Sequence, residues 1–281
     1  MFVLRHDGDR LTVTKMKVGL VGCGNIATDL CIALEKGDIK AEIVALTDVD
    51  AGQAERLRAA YGLNAEIGNL DATVRVSDFV VECAAAEAVH DVIETVIRHR
   101  KTCVIMSVAG LLKEPELLDK AKRNNVRVQI PSGAICGMDG IRTAAEAGLD
   151  NVVLTTRKPT RGLAGEPYLV EKGIDADKLT EPTVVFDGTA LEAVKALPKN
   201  VNVAGALSFA GIGPDRTHVR VIIDPGATVN THEIVAEGAF GRLSTTTENK
   251  PSPRNPKSSY LASLSACAEL RAAATAFISC K

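Results

Sequence analysis

Residues 22–27 read Gly-Cys-Gly-Asn-Ile-Ala, a G-x-G-x-x-A spacing that follows the apolar run Lys17–Val21 and opens a helical pattern. Gly22 permits a tight turn, Gly24 lets the backbone approach a pyrophosphate, and Ala27 keeps the helix close to the sheet. The first amides of that helix, at Asn25 and Ile26, have no partner inside it and are available to phosphates. Roughly 20 residues on, Asp48 closes the next apolar run, where its carboxylate would accept from ribose hydroxyls. The set predicts a dinucleotide site for NAD or NADP. A carboxylate repels a 2′-phosphate, so NAD is favoured, while Arg56 keeps NADP open. The bland alternative, a glycine turn that binds nothing, is opposed by the complete strand, turn, helix and acid context.

Hydride transfer to such a cofactor needs no protein nucleophile, but it needs a group to move a proton, and histidine is the usual choice. Of the five histidines, His6 lies in a charged tail, and His90 and His99 fall on a surface helix. His218 in THVRVIID and His232 in NTHEIVAEG both fall on strand-like runs. A hydrogen-bonded structural role is the plain alternative for either. Asn230 and Thr231 crowd polar groups around His232, which tips a near-even choice toward it. Metal signatures are missing from the sequence: there is no H-E-x-x-H, and the cysteines form no C-x-x-C pair.

Positioning these groups takes two kinds of architecture. Through residue 130 the pattern alternates short apolar strands (Lys17–Val21, Glu42–Thr47, Asp78–Cys83, Thr102–Ser107, Val126–Ile130) with helices over Asn25–Glu35, Ala51–Tyr61, Ala88–Arg98 and Pro115–Asn124. Such alternation predicts an α/β, Rossmann-type doubly wound parallel sheet, with Asp50 as a helix N-cap. At PSGAICGMDGIR the pattern gives way to a small-residue loop, and loops at the carboxyl ends of strands collect ligands. Beyond it, strands over Val152–Thr156, Thr183–Asp187, Thr217–Ile223, Val229–Glu237 and Gly241–Thr247, with helices at Ala190–Leu197 and within PKNVNVAGALSFAGIG, predict a smaller α/β domain with an open sheet. RKPTRGLAGEPYLVEKGID between the first two of these strands reads as a lid or an irregular surface loop. Asn255 and Pro256 suit the N-cap and first position of a final helix running to about Cys280, whose alanine-rich face packs back on the first domain. The expected division is an extension at 1–15, a dinucleotide-binding domain at 16–130, a catalytic domain at 131–254, and a returning helix at 255–281.

Bulk composition narrows the function classes. The chain has 281 residues, a net charge of −2, no tryptophan and three tyrosines, which gives neither a basic surface nor stacking platforms for nucleic acid. Seven scattered cysteines suit free thiols in a reducing cytoplasm. The N-terminus lacks the apolar core of a signal peptide, and no run is expected to span a membrane.

The ordered set GCGNIA, IPSGAICGMDGIR, TTRKP, PKNVNVAGALSFAGIGPD, DPGATVNTHEI, FG and NPKSS resembles the L-aspartate dehydrogenase family from about Met16 to the end. The resemblance implies a Rossmann domain joined to a dihydrodipicolinate-reductase-like domain, and a homodimer. It also implies NAD(P)-dependent oxidation of L-aspartate to iminoaspartate, which yields oxaloacetate and ammonia or feeds NAD biosynthesis. Carried over by motif, His232 matches the family's catalytic histidine, and Ala134 and Asn202 match cofactor-binding positions. Backbone amides of Ser132, Gly133 and Ala134, with Lys158 and Lys257, are the expected donors to the substrate carboxylates, which are expected to sit between the domains. Residues 1–15 have no family counterpart, so Met16 is the expected start, and Cys136 and His218 depart from the family's chemistry. Two rivals fit less well. Dihydrodipicolinate reductases carry H-H-x-x-K, and no adjacent histidines occur here; the Lys-Pro of glucose–fructose-type oxidoreductases looks like Lys158-Pro159, but that pair lies past the first sheet. A non-enzymatic dinucleotide sensor would have no use for His232.

Overall fold

The computed structural model describes residues 15–279 apart from positions 38, 199 and 257, and the chain divides into two compact units, Met1–Pro131 with Ser263–Lys281, and Ser132–Ala262. His6, Cys280, Lys257 and nearly all of the expected extension lie outside the described residues.

The first unit is built from β1 (Met16–Val21), α1 (Asn25–Glu35), β2 (Ala41–Thr47), α2 (Ala51–Ala60), β3 (Glu66–Ile67), α3 (Leu70–Val76), β4 (Phe79–Glu82), α4 (Val89–His99), β5 (Thr102–Ile105), α5 (Val108–Lys113), α6 (Glu116–Arg123) and β6 (Val128–Gln129). Its sheet runs β3-β2-β1-β4-β5-β6 with every pairing parallel. This is the doubly wound order, in which the chain reverses direction of growth between β1 and β4 and opens a crevice at the carboxyl ends. Strand residues such as Val18, Leu20, Phe79, Val81 and Val104 are buried because helices cover them, as continuous apolar runs require. On α4, Val89, Val92, Ile93 and Val96 form the buried stripe at helical spacing.

In the second unit come α7 (Met138–Ala145), β7 (Leu149–Lys158), α8 (Pro167–Glu171), β8 (Thr183–Thr189), α9 (Ala190–Ala196), α10 (Asn202–Ala210), β9 (His218–Ile223), β10 (Asn230–Gly238) and β11 (Gly241–Asn249). Its mixed sheet runs β11-β10-β7-β9-β8; β7 and β9 are parallel and the other neighbours antiparallel. Val152 and Leu154 of β7 with Ile234 and Ala236 of β10 make one face apolar and buried.

Three expectations need correction. The loop at residues 131–142 becomes helical from Met138. The final helix α11 spans Tyr260–Ser279, so Asn255 and Pro256 do not start it. There the amide of Tyr260 is taken by Lys250 O and that of Ser258 by Asn255 O, a turn stabilised by the bridge Pro251–Ser259. Residues Tyr260–Ile278 are also long and apolar enough to cross a membrane by length and composition, contrary to the reading of the sequence. In the fold Ala266, Leu270 and Ala274 of this helix belong to the core of the first unit, beside Leu30 and Phe79.

Candidate active site

Gly22 leaves β1 with φ +92°, and a Cβ there would stand 2.6 Å from Ala84 N. Only glycine fits such a turn. At Gly24 an added Cβ would meet nothing nearer than the end of Gln53, at 3.4 Å, so the space over the helix start is open to a ligand. A cavity of about 540 Å³ lies there, lined by Gly22, Gly24, Asp48, Val49, Gln53 and Ala84 among others. It joins the carboxyl ends of β1, β2 and β4, the crevice where an α/β sheet binds its ligand. A dinucleotide's phosphates and adenosine therefore have a fitting place, with the absent side chain at Gly24 and the amides at the start of α1 to receive the pyrophosphate. Asn25 begins α1, and its side chain donates to Ser263 Oγ at 3.2 Å; Ile26 packs against the core.

Asp48 does more than the sequence suggested. Its Oδ2 accepts from Cys23 N at 2.7 Å and its Oδ1 from Asp50 N at 2.9 Å, so this carboxylate ties the glycine turn to the start of α2. Arg56 is engaged with Asp50 at 3.0 Å, and this pairing holds the Asp50 carboxyl below its usual range. Behind the cavity wall, the buried Glu82 accepts from Ala84 N, Ser107 N and Ser107 Oγ at 2.8–2.9 Å, joining the ends of β4 and β5. Burial pushes its pKa up.

In the second unit the polar groups concentrate at one end of the buried sheet face. His232 pairs in register with Thr156 on β7 and with Thr247 on β11. Residues opposite one another, and those two apart along a strand, share a face. Lys158, Thr156, His232, Asn230, Thr247 and Asn249 therefore share one. His232 is 4% exposed, and its Nδ1 lies 2.9 Å from Thr156 Oγ1. Burial, and then the charge of Lys158, hold its pKa down to about 3, so the imidazole is neutral. Lys158 is 7% exposed; its ammonium contacts Asn200 Oδ1, and the Asn200 amide donates to Glu166 Oε1 at 3.0 Å. Burial lowers the Lys158 pKa to about 8, opposed by the negative charge of Glu166.

The Ser132–Ala134 loop is fixed to this cluster. Ala134 O accepts from Asn249 Nδ2 at 2.9 Å and from Thr247 Oγ1 at 3.0 Å. Gly133 adopts φ +62°, and the amides of Ser132, Gly133 and Ala134 donate no hydrogen bond among the described residues. Successive free amides beside a positive-φ glycine form an anion-accepting concavity. Asn202 is exposed at the first position of α10. His218 pairs in register with Val153, three positions before Thr156, and so faces the opposite side of the sheet. There its Nε2 is 2.7 Å from Asp187 Oδ1, apart from the buried cluster around His232. Sequence reasoning missed Thr156, Asn200, Glu166, Thr247 and Asn249; TTRKP pointed at the first and PKN at the second, without showing their partners.

A phosphate-binding turn at the switch point of a parallel sheet, with a buried imidazole–ammonium cluster on a second sheet, defines a dinucleotide-dependent oxidoreductase of two units. Residues 139–273 match the model of the aspartate dehydrogenase C-terminal domain, and residues 22–131 that of the homoserine dehydrogenase NAD-binding domain. Full-length relatives agree. The L-aspartate dehydrogenase of Methanosarcina mazei is 46% identical over 91% of this chain and 96% of its own, and that of Bradyrhizobium diazoefficiens 38% over 94% and 93%. The crystal structure of aspartate dehydrogenase from Thermotoga maritima superposes with a TM-score of 0.69, at 26% identity over 92% of this chain and 96% of that one. The chain belongs to the L-aspartate dehydrogenase family.

Proposed function

We propose that this protein is an NAD-dependent L-aspartate dehydrogenase, carried above all by one observation: a neutral, buried His232 held by Thr156 in a polar cluster at one end of the buried sheet face, to which the loop of free amides at Ser132–Ala134 is tied through Thr247 and Asn249. The oxidised nicotinamide supplies the hydride acceptor when bound. The first unit holds the dinucleotide through the Gly22–Gly24 turn and the start of α1. Asp48 at the edge of the cavity favours a ribose with free hydroxyls, and Arg56 is turned to Asp50; both support NAD over NADP. Ala134 and Asn202 take the cofactor-binding places that the family resemblance gives them.

On the second unit the amides of Ser132 and Gly133 donate to a substrate carboxylate. Thr156 fixes one imidazole nitrogen of His232 and leaves the other to hydrogen-bond the reacting amine and, at the imine stage, the incoming water. Holding such groups about 3–3.5 Å from the reacting atoms supplies much of the acceleration. The product then enters NAD biosynthesis as iminoaspartate or leaves as oxaloacetate and ammonia, and the working form is a homodimer.

The test follows reduced nicotinamide by absorbance with L-aspartate, D-aspartate, glutamate and dihydrodipicolinate. L-Aspartate alone should give signal, and His232→Ala should lose turnover by roughly 10²–10⁴ with NADH still bound. His218→Ala should stay within about threefold, as an ion-paired residue on the other face. Cofactor binding with no signal for any substrate would leave only a dinucleotide sensor.

A further inference from the structure

Among the described lysines Lys158 stands apart, because it is buried without an ion pair. Its side chain closes β7, and its ammonium has one hydrogen-bond partner among the described residues, the neutral Asn200. The groups facing it are His232 and Asn230 from β10, Asn200 from the turn before α10, and Glu166, which lies behind Asn200. Gly162 seals the stem, since a Cβ there would come 3.4 Å from Lys158 Cβ. Asp224, just past the end of the neighbouring strand β9 with its amide donating to Lys158 O, has its carboxylate engaged with Arg157 at 2.9 Å. Two ammonium hydrogens are thus left over in a buried place, where a charged amine is costly and the neutral amine is favoured.

Oxidising an amino acid requires its ammonium to lose a proton before the C=N bond can form. A proton acceptor works best when its pKa is near the working pH. Of the two nitrogen bases in the cluster, His232 is held to about 3 and Lys158 to about 8, so only Lys158 changes charge near neutrality. The sequence suggested a different part for Lys158, that of a fixed positive charge for a substrate carboxylate.

We propose that Lys158 is the catalytic proton acceptor for the substrate ammonium, with His232 as its neutral hydrogen-bonding neighbour and Glu166, acting through Asn200, as a positioning residue that sets the Lys158 charge. The proposal rests on the reading of the chain as an amino-acid dehydrogenase. In the step, the unprotonated Nζ takes a proton from the substrate ammonium, breaking one N–H bond and forming another. The freed lone pair makes the C=N bond as the Cα–H pair departs as hydride. The substrate loses two electrons, for which a bound oxidised nicotinamide would be the acceptor, and the proton on Lys158 passes to water.

The test compares wild type with Lys158→Arg, Lys158→Met and Glu166→Gln. For wild type, kcat/KM for L-aspartate should rise with pH and level off above about 8, as a base of that pKa requires. Lys158→Arg keeps the charge but cannot accept a proton, so kcat should fall roughly 10²–10⁴ with KM within about threefold, and the rise should vanish. Glu166→Gln removes the charge that supports the ammonium, so the rise should move to lower pH. A readout independent of turnover is succinate binding above pH 9, which Lys158→Met should leave within about threefold. Lys158→Arg retaining turnover, or Lys158→Met losing succinate affinity more than tenfold while the pH rise persists, would make Lys158 a carboxylate counter-charge and overturn the proposal. Should the lysine variants fail to fold, an unmoved rise in Glu166→Gln overturns it equally. Wild type that binds NADH but never oxidises L-aspartate sinks the dehydrogenase reading itself, a result distinct from active wild type with an active Lys158→Arg.

Discussion

Burying an imidazole has a price that acid should expose. His232 has a folded pKa of about 3 against an ordinary value of 6.5, because its surroundings reject the charged form. The unfolded chain therefore takes up this proton first as pH falls. Below the ordinary value the unfolded state binds more protons than the folded one, so stability rises with pH through that window and is lost as pH falls. The neutral imidazole contributes its full stability above about 6.5, and that contribution declines until the folded pKa is reached. Each pH unit is worth about 1.4 kcal/mol, so the whole window amounts to about 5 kcal/mol, of which about 3 kcal/mol is gone near pH 4.5. The perturbation is His232→Gln, which keeps a polar side chain and removes the titration. Urea denaturation of wild type and variant at several pH values between about 4.5 and 7.5 gives the two stability curves. The variant starts lower at neutral pH because the Thr156 hydrogen bond is disturbed. Its stability should then fall less steeply with acid, the two curves converging by about 3 kcal/mol. Parallel curves would refute the argument, since they would mean that the imidazole titrates alike in the folded and unfolded chain.

Gly22→Ala should lower stability by about 1–2 kcal/mol through its positive φ alone, with more from the contact at Ala84, and should weaken NADH binding; thermal melting and fluorescence titration read both effects. Asp48→Ser should narrow the preference for NAD over NADP by about tenfold, read as the ratio of the two dissociation constants, because the carboxylate that repels a 2′-phosphate is gone. The same change should loosen the glycine turn, since the amides of Cys23 and Asp50 lose a charged acceptor worth about 1.5–3 kcal/mol per bond. Thr156→Val leaves His232 Nδ1 buried without a partner, which should cost about 1–3 kcal/mol of stability, and kcat should fall more than KM rises.

How much of this could be read from the chain depended on the distance over which each signal acts. Strands β1, β2, β4 and β5 were legible because buried parallel strands are continuous apolar runs, and the glycine turn announced itself by its place between a strand and a helix. Helix α5 was not, because VAGLLK is buried on nearly every side and has no polar face to reveal a period. Helix α3 offered a readable start, since Asn69 accepts from Ala72 N, but β3 before it is only two residues long. The buried polar cluster lies at the far end of this scale. His232 could be singled out from its polar neighbours, yet its surroundings are set by Thr156, 76 residues earlier, and by Lys158, which is held by Asn200 with Glu166 behind it. A threonine in a strand and a lysine before a proline look ordinary in sequence. Register across β7, β10 and β11 makes them one site, because a one-residue slip would send His232 to the solvent face with His218. The arrangement of this cluster is therefore specified by strand pairing, and changes that shift the β7–β10 register should abolish turnover while leaving the glycine turn of the other unit, and NADH binding with it, intact.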